Sequence, residues 1–173
     1  MGCPTADVEP SFAAVMDLAA LAQGAAVELL LQAQERGLVA DSTSADAGAW
    51  ALQVCAGAGR AIPTTLAHQL RTITEHALPR DGADYRQAVT TARVPASTAA
   101  VLGRELHRIR ANVTAQADEA AREHVIAYAA EGASARQLAH LREAVIATYG
   151  PEEAFEEEQR RCHAQRHLSL GVK

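Results

Sequence analysis

Aromatic residues make up only 3% of this 173-residue chain, two Phe, three Tyr and one Trp, although 49% of it is hydrophobic. Alanine and leucine must therefore fill the interior, and alanine-rich segments favour closely packed helices. The three cysteines, Cys3, Cys55 and Cys162, are odd in number and show no paired spacing. They fit free thiols in a reducing cytosol better than a disulfide framework. No basic segment leads into an apolar one at the start, so no secretory signal is expected. The run 25–31 contains Glu28 and is too short to span a bilayer. A net charge of -5 and a pI near 5.8 argue against a generally basic nucleic-acid binder, while leaving room for a local basic patch. A soluble cytoplasmic protein with no membrane partner is the expectation.

What is present is helical periodicity. Ser11 suits the cap of a long first helix, with residues 1–10 as a tail and Gly37 ending the helix after Arg36. Phe12, Val15, Ala19, Ala22, Ala26, Leu29, Leu30 and Ala33 form an apolar stripe, widened by Leu18, Leu21, Val27 and Leu31. A helix so apolar is expected in the core, with pairing to another chain as the alternative. Ser44 or Asp46 caps a second helix carrying Trp50, Leu52 and Val54, and Gly57-Ala-Gly59 closes it. Pro63 suits the first turn of a third, with Thr64, Leu66, Leu70 and Ile73 on one side. After the turn Leu78-Pro-Arg-Asp-Gly82, a short helix runs from about Asp84 to Thr91. Pro95 opens the next, Thr114 caps another that ends near Gly132, and Ser134 caps one that ends at Gly150.

Pro151 starts a last helix with Glu152, Glu153, Glu156, Glu157 and Glu158 ahead of Arg160, Arg161, His163, Arg166 and His167. That charge order complements the helix dipole, and Glu156–Arg160 and Glu157–Arg161 are favourable pairs. Residues 166–173 then alternate polar and apolar like a strand onset. The expected fold is all-α, seven or eight helices over residues 11–167, with a β-strand stub at 168–173 leading to a further domain.

No catalytic constellation emerges. His107, Asn112 and His124 follow the residue order of an HNH site, but their spacing crosses two helices where that motif needs a hairpin and one helix. His163 and His167, with Cys162 nearby, lack a third ligand, and Gly57-Ala-Gly-Arg60 lacks the Lys-Ser/Thr of a phosphate loop. Cys55 beside Val54 reads as a buried thiol rather than a nucleophile. No catalytic, cofactor or metal residue is expected in this chain. The best anion-binding candidates are Arg104, His107, Arg108 and Arg110 on one helix and Arg160, Arg161 and Arg166 on the last. Arg104, His107 and Arg108 share a face by spacing, although acids such as Glu105 or Asp118 lie close enough to pair with it.

Several segments together resemble the DUF222, or 13E12 repeat, family. They are Asp46-Ala-Gly-Ala-Trp50-Ala-Leu52, Tyr85-Arg-Gln-Ala88, Val94-Pro-Ala-Ser-Thr98, Gly132-Ala-Ser-Ala-Arg-Gln-Leu138 with Leu141-Arg142, Tyr149-Gly-Pro151 and Arg166-His-Leu-Ser-Leu170. The likeness covers roughly residues 11–173 and departs at 64–76, where family members carry a more basic helix and only Arg71 is a full positive charge here. In that family a helical region commonly precedes an HNH nuclease domain. The resemblance implies a non-catalytic helical module of an HNH endonuclease-like protein, serving docking to double-stranded DNA or assembly. The alternative is a module that dimerises through residues 12–33 and binds no nucleic acid. A third reading, a small-molecule regulator, would need an apolar cavity.

Overall fold

The computed structural model describes residues 7–78 and 82–151, together with Glu156 and Arg160. Among them the chain is all-helical, with seven helices and no strand: α1 (Val8–Glu35), α2 (Ala47–Gly57), α3 (Thr64–Ala77), α4 (Ala83–Thr90), α5 (Ala96–Arg110), α6 (Asp118–Ala130) and α7 (Ala135–Tyr149). The expected strand at 168–173 lies outside the described residues. So does the last helix apart from Glu156 and Arg160, which are helical, with Arg160 Nε donating to the Glu156 carbonyl at 3.3 Å. Two compact units divide at Ala100 and Val101, so α5 begins in the first and continues into the second.

In the first unit α1 packs on α2, α3 and α4, and α2 lies along α3. α1 begins at Val8 behind Asp7, so the expected cap at Ser11 falls inside the helix and the tail is shorter than expected. Its end matches the reading: Arg36 caps it and Gly37 turns the chain at a φ of 78°, a conformation that costs glycine little. The expectation of a buried α1 holds only for its second half. Val27, Leu30, Leu31 and Ala33 are in the core, whereas Phe12, Val15, Leu18 and Leu21 stand 52–67% exposed, and in the second half Leu29 also faces outward. The reason is one of reach: the α1–α4 crossing sits at Gly24, and among the described residues nothing covers the turns before it. A methyl on Gly24 would come within 2.7 Å of the Thr90 carbonyl oxygen, so only glycine lets the two backbones approach this closely.

Local signals explain the other elements. Asp46 is the cap of α2, accepting from the Ala49 amide at 2.8 Å, while the Ser44 hydroxyl donates to Gln53 instead. Gly48 seats α2 against the Ala67 carbonyl of α3, where a side chain would collide. Pro63 precedes α3 as its cap, one position earlier than expected, and its carbonyl accepts from the Ala67 amide. α3 packs on α4, and Leu70, Ile73 and Ala77 of α3 and Tyr85, Ala88 and Val89 of α4 are all buried. The turn 79–81 lies outside the described residues.

In the second unit α6 packs on α7. Ser134 begins α7 with a full capping box, its hydroxyl accepting from the Gln137 amide while the Gln137 side chain accepts from the Ser134 amide. Thr114 does not cap α6: its carbonyl closes a turn to the Ala117 amide, and the helix starts at Asp118. Asp118 and Glu119 then occupy the first turn, where acids suit the exposed amides. Ile109, Ala121, Val125, Leu138 and Ile146 are completely or almost completely buried and form the core of this unit.

Candidate functional site

α1 carries the most distinctive surface in the described chain. Val8, Phe12, Val15, Ala19, Ala22, Ala26 and Leu29 follow alternating steps of four and three residues, the repeat of a helix-pairing seam. All seven are exposed. On the opposite side, the helix is fixed to its own unit. Arg86 of α4 donates to Glu28 from Nε at 3.1 Å and from its Nη2 at 2.8 Å, and it also bonds Glu35. The Arg86 hydrogen bonds, with one from Gln32, hold the Glu28 carboxyl below the usual carboxylate range. They also raise the Arg86 guanidinium above its ordinary value. The first helix is thus anchored by its C-terminal half and presents a seam along the other face.

By length and composition α1 is the described helix that could cross a membrane, with 28 residues and a mean hydropathy of 1.6 in its most apolar window. Reading only 25–31 from the sequence understated that run. Its packed half is committed to α3 and α4 through Gly24, Val27, Leu30 and Leu31.

The phosphate candidates of α5 are all on the surface: Arg104, His107, Arg108 and Arg110 are exposed. They do not form a patch of unopposed charge. Glu105, between them in sequence, has a side chain only 6% exposed and accepts from Arg108 at 2.9 Å and from Arg142 of α7 at 2.6 Å. Glu105 therefore takes the pairing role allowed for it, while Asp118 pairs with Arg122 at 3.7 Å. The burial of Glu105 and its pairing with Arg142 were not read from the sequence, where an acid three residues before an arginine looks like surface pairing. Arg160 is exposed, and Arg161 and Arg166 lie outside the described residues, as do Cys162, His163 and His167. Asn112 donates to the Arg108 carbonyl at 2.7 Å and so finishes α5. Cys55 is half-buried with no disulfide. Among the described residues no three His, Cys, Asp or Glu side chains gather as metal ligands.

A groove of about 390 Å³ runs between the end of α1, the loop 39–47 and α3, lined by Gln34, Val39, Asp46, Arg71, Thr74 and Glu75 among others. Arg71 bridges Asp46 at 3.4 Å and Glu75 at 3.3 Å across it. The Ala49 amide, ahead of Arg71, keeps the Asp46 carboxyl below its ordinary value. The groove sets this ion-paired group beside apolar Val39, Ala40, Ala45, Ala47 and Leu78. No family model, curated protein or solved structure matches the chain.

Proposed function

We propose that this chain is a non-catalytic helical module that works by assembly, its N-terminal half of α1 accepting another apolar helix. The single observation behind this reading is the exposure of Phe12, Val15, Met16, Leu18 and Leu21, each 52–67% open to solvent on one helix. An apolar surface of that density on a soluble domain marks an interaction site. A membrane is the poorer match: the unpacked residues 8–23 span about 24 Å, short of the roughly 30 Å hydrocarbon core, and include Glu9 and Asp17. The resemblance to the helical region that precedes HNH nuclease domains supplies the context: a module that brings such chains together.

The test is a double substitution, Phe12→Glu with Leu18→Glu. Substitutions on a surface face change stability by no more than about 0.5 kcal/mol. The unfolding midpoint, extrapolated to zero protein concentration, should then stay within about 2 °C of the parent chain. The same variant should lose association. A midpoint lowered by about 10 °C would mean that these residues belong to a core, and would contradict the reading.

DNA docking is the second reading, favoured by the exposure of Arg104, His107, Arg108 and Arg110 along two turns of α5. Glu105 already draws on Arg108, so exposed Arg104 is the residue this proposal tests first. Fluorescence anisotropy with duplex DNA at two salt concentrations checks it. Micromolar binding that weakens with salt and falls in Arg104→Ala supports it, and no binding at low salt refutes it.

A further inference from the structure

We infer that the occupant of the α1 seam is a second copy of the same helix, running antiparallel, with the twofold axis passing beside Asp17. The inference rests on the assembly reading and adds partner, direction and register. An interface between two identical chains must be self-complementary, and the seam is divided in the way this requires. Its first three members, Val8, Phe12 and Val15, are bulky, and the next three, Ala19, Ala22 and Ala26, are small. Antiparallel pairing about Asp17 sets Val8 against Ala26, Phe12 against Ala22 and Val15 against Ala19. Every bulky side chain then meets an alanine, which fills the space between the helices without voids or overlap. A parallel pair would set Phe12 on Phe12 and Ala19 on Ala19, crowding one end and leaving a gap at the other.

The flanking positions agree with this register. Met16 and Leu18, 54% and 67% exposed, straddle the axis and each faces its own counterpart across it. Glu9 comes opposite Gln23 and Ser11 opposite Ala25, so no like charges meet along the rims, and Asp17 points away from the seam on both copies. The area is also sufficient. Val8, Phe12, Val15, Met16 and Leu18 are half or more exposed. At roughly 100 Å² apiece they contribute about 500 Å² per copy, so two copies reach the ~1,000 Å² that a specific interface needs. Among the described residues, packing of Val27, Leu30 and Leu31 into the first unit leaves this face of the helix uncovered.

Cross-linking tests the arrangement. In a chain carrying Cys3→Ser, Cys55→Ser and Cys162→Ser, two variants are made, Val15→Cys and Ala19→Cys, one bearing a tag that separates them by mass. They are mixed and oxidised, and light scattering gives the mass of the parent chain. The arrangement predicts a dimeric mass and a mixed disulfide between Val15→Cys and Ala19→Cys chains, formed at least several-fold more readily than either homodisulfide. Dominant disulfide formation within Val15→Cys alone would mean a parallel pair and would overturn the direction and register while leaving the assembly reading intact. A monomeric mass at every concentration would overturn the second copy as occupant. Binding of that monomer to phosphatidylcholine vesicles would assign the face to lipid and overturn the assembly reading as well. An unchanged midpoint in Phe12→Glu/Leu18→Glu reports only on the exposure of the face, so it distinguishes failure of the broader reading from failure of this one.

Discussion

Arg86 shows how a residue fixes what α1 has left to offer. Its bonds to Glu28 and Glu35 hold the second half of α1 against α4, and the side chains of all three remain 28–47% exposed. Because the Glu28 carboxyl titrates below its ordinary value in the folded chain, protons favour the unfolded state. The contribution is complete above the ordinary carboxylate value, near pH 4, and is lost as pH falls through the lowered one. Asp46, held low mainly by the Ala49 amide, follows the same sign. Urea midpoints at pH 7 and pH 3 check this: Glu28→Gln should lower the midpoint at pH 7 and show a smaller loss on acidification than the parent chain. Residue-scale signals of a local kind were legible in the sequence. Ser134, Asp46 and Gly37 occupy the caps and turn that their chemistry suggests, since each acts within four residues of itself. Side chains that act over long separations were not. Arg86 reaches 58 residues back to Glu28, and the buried hydroxyl of Tyr85 donates to the Ala99 carbonyl, its acidity weakened by burial. No spacing rule encodes such partners.

Among the elements, the pattern of apolar residues gave the helices with their bounds shifted by a few positions. The shifts have a common cause. Ser11 and Thr114 are good capping residues, but Asp7 and Ala117 precede helices that start elsewhere because a cap preference is weaker than the continuation or delay of a turn. The α1–α4 crossing depends on one such position. An added methyl at Gly24 would lie 2.7 Å from the Thr90 carbonyl and 2.9 Å from that of Val89, both rigid backbone atoms. Gly24→Ala improves helix propensity, yet the collision outweighs it, so the substitution should cost about 1–3 kcal/mol in urea unfolding. A stabilised variant would show that α1 and α4 do not approach as described. Gly48 does the same work between α2 and α3.

At the scale of the molecule, the stripe along α1 was evident from its period and its destination was not. A period of three and four residues states that one face seeks apolar contact, and the same pattern serves an internal core or a second chain. Exposure separates the two halves of the helix. Leu30 and Leu31, at 3% and 0%, belong to the core, and Phe12 and Leu18, at 66% and 67%, do not. The basic residues of α5 pose the converse case. Their shared face and its pairing with Glu105 were legible, while the burial of Glu105 and its bond to Arg142 were not, because they depend on α7.

The central claim is that the first half of α1 is an interface, and hydrogen exchange along residues 8–23 measures it most directly. A surface helix of that length without a partner is marginal in water and its amides exchange quickly. The account predicts slow exchange there at high protein concentration, faster exchange on dilution, and loss of protection in Phe12→Glu, with the amides of α3 and α4 unaffected throughout. Fast exchange of residues 8–23 at every concentration, indistinguishable between the parent chain and Phe12→Glu, would contradict it.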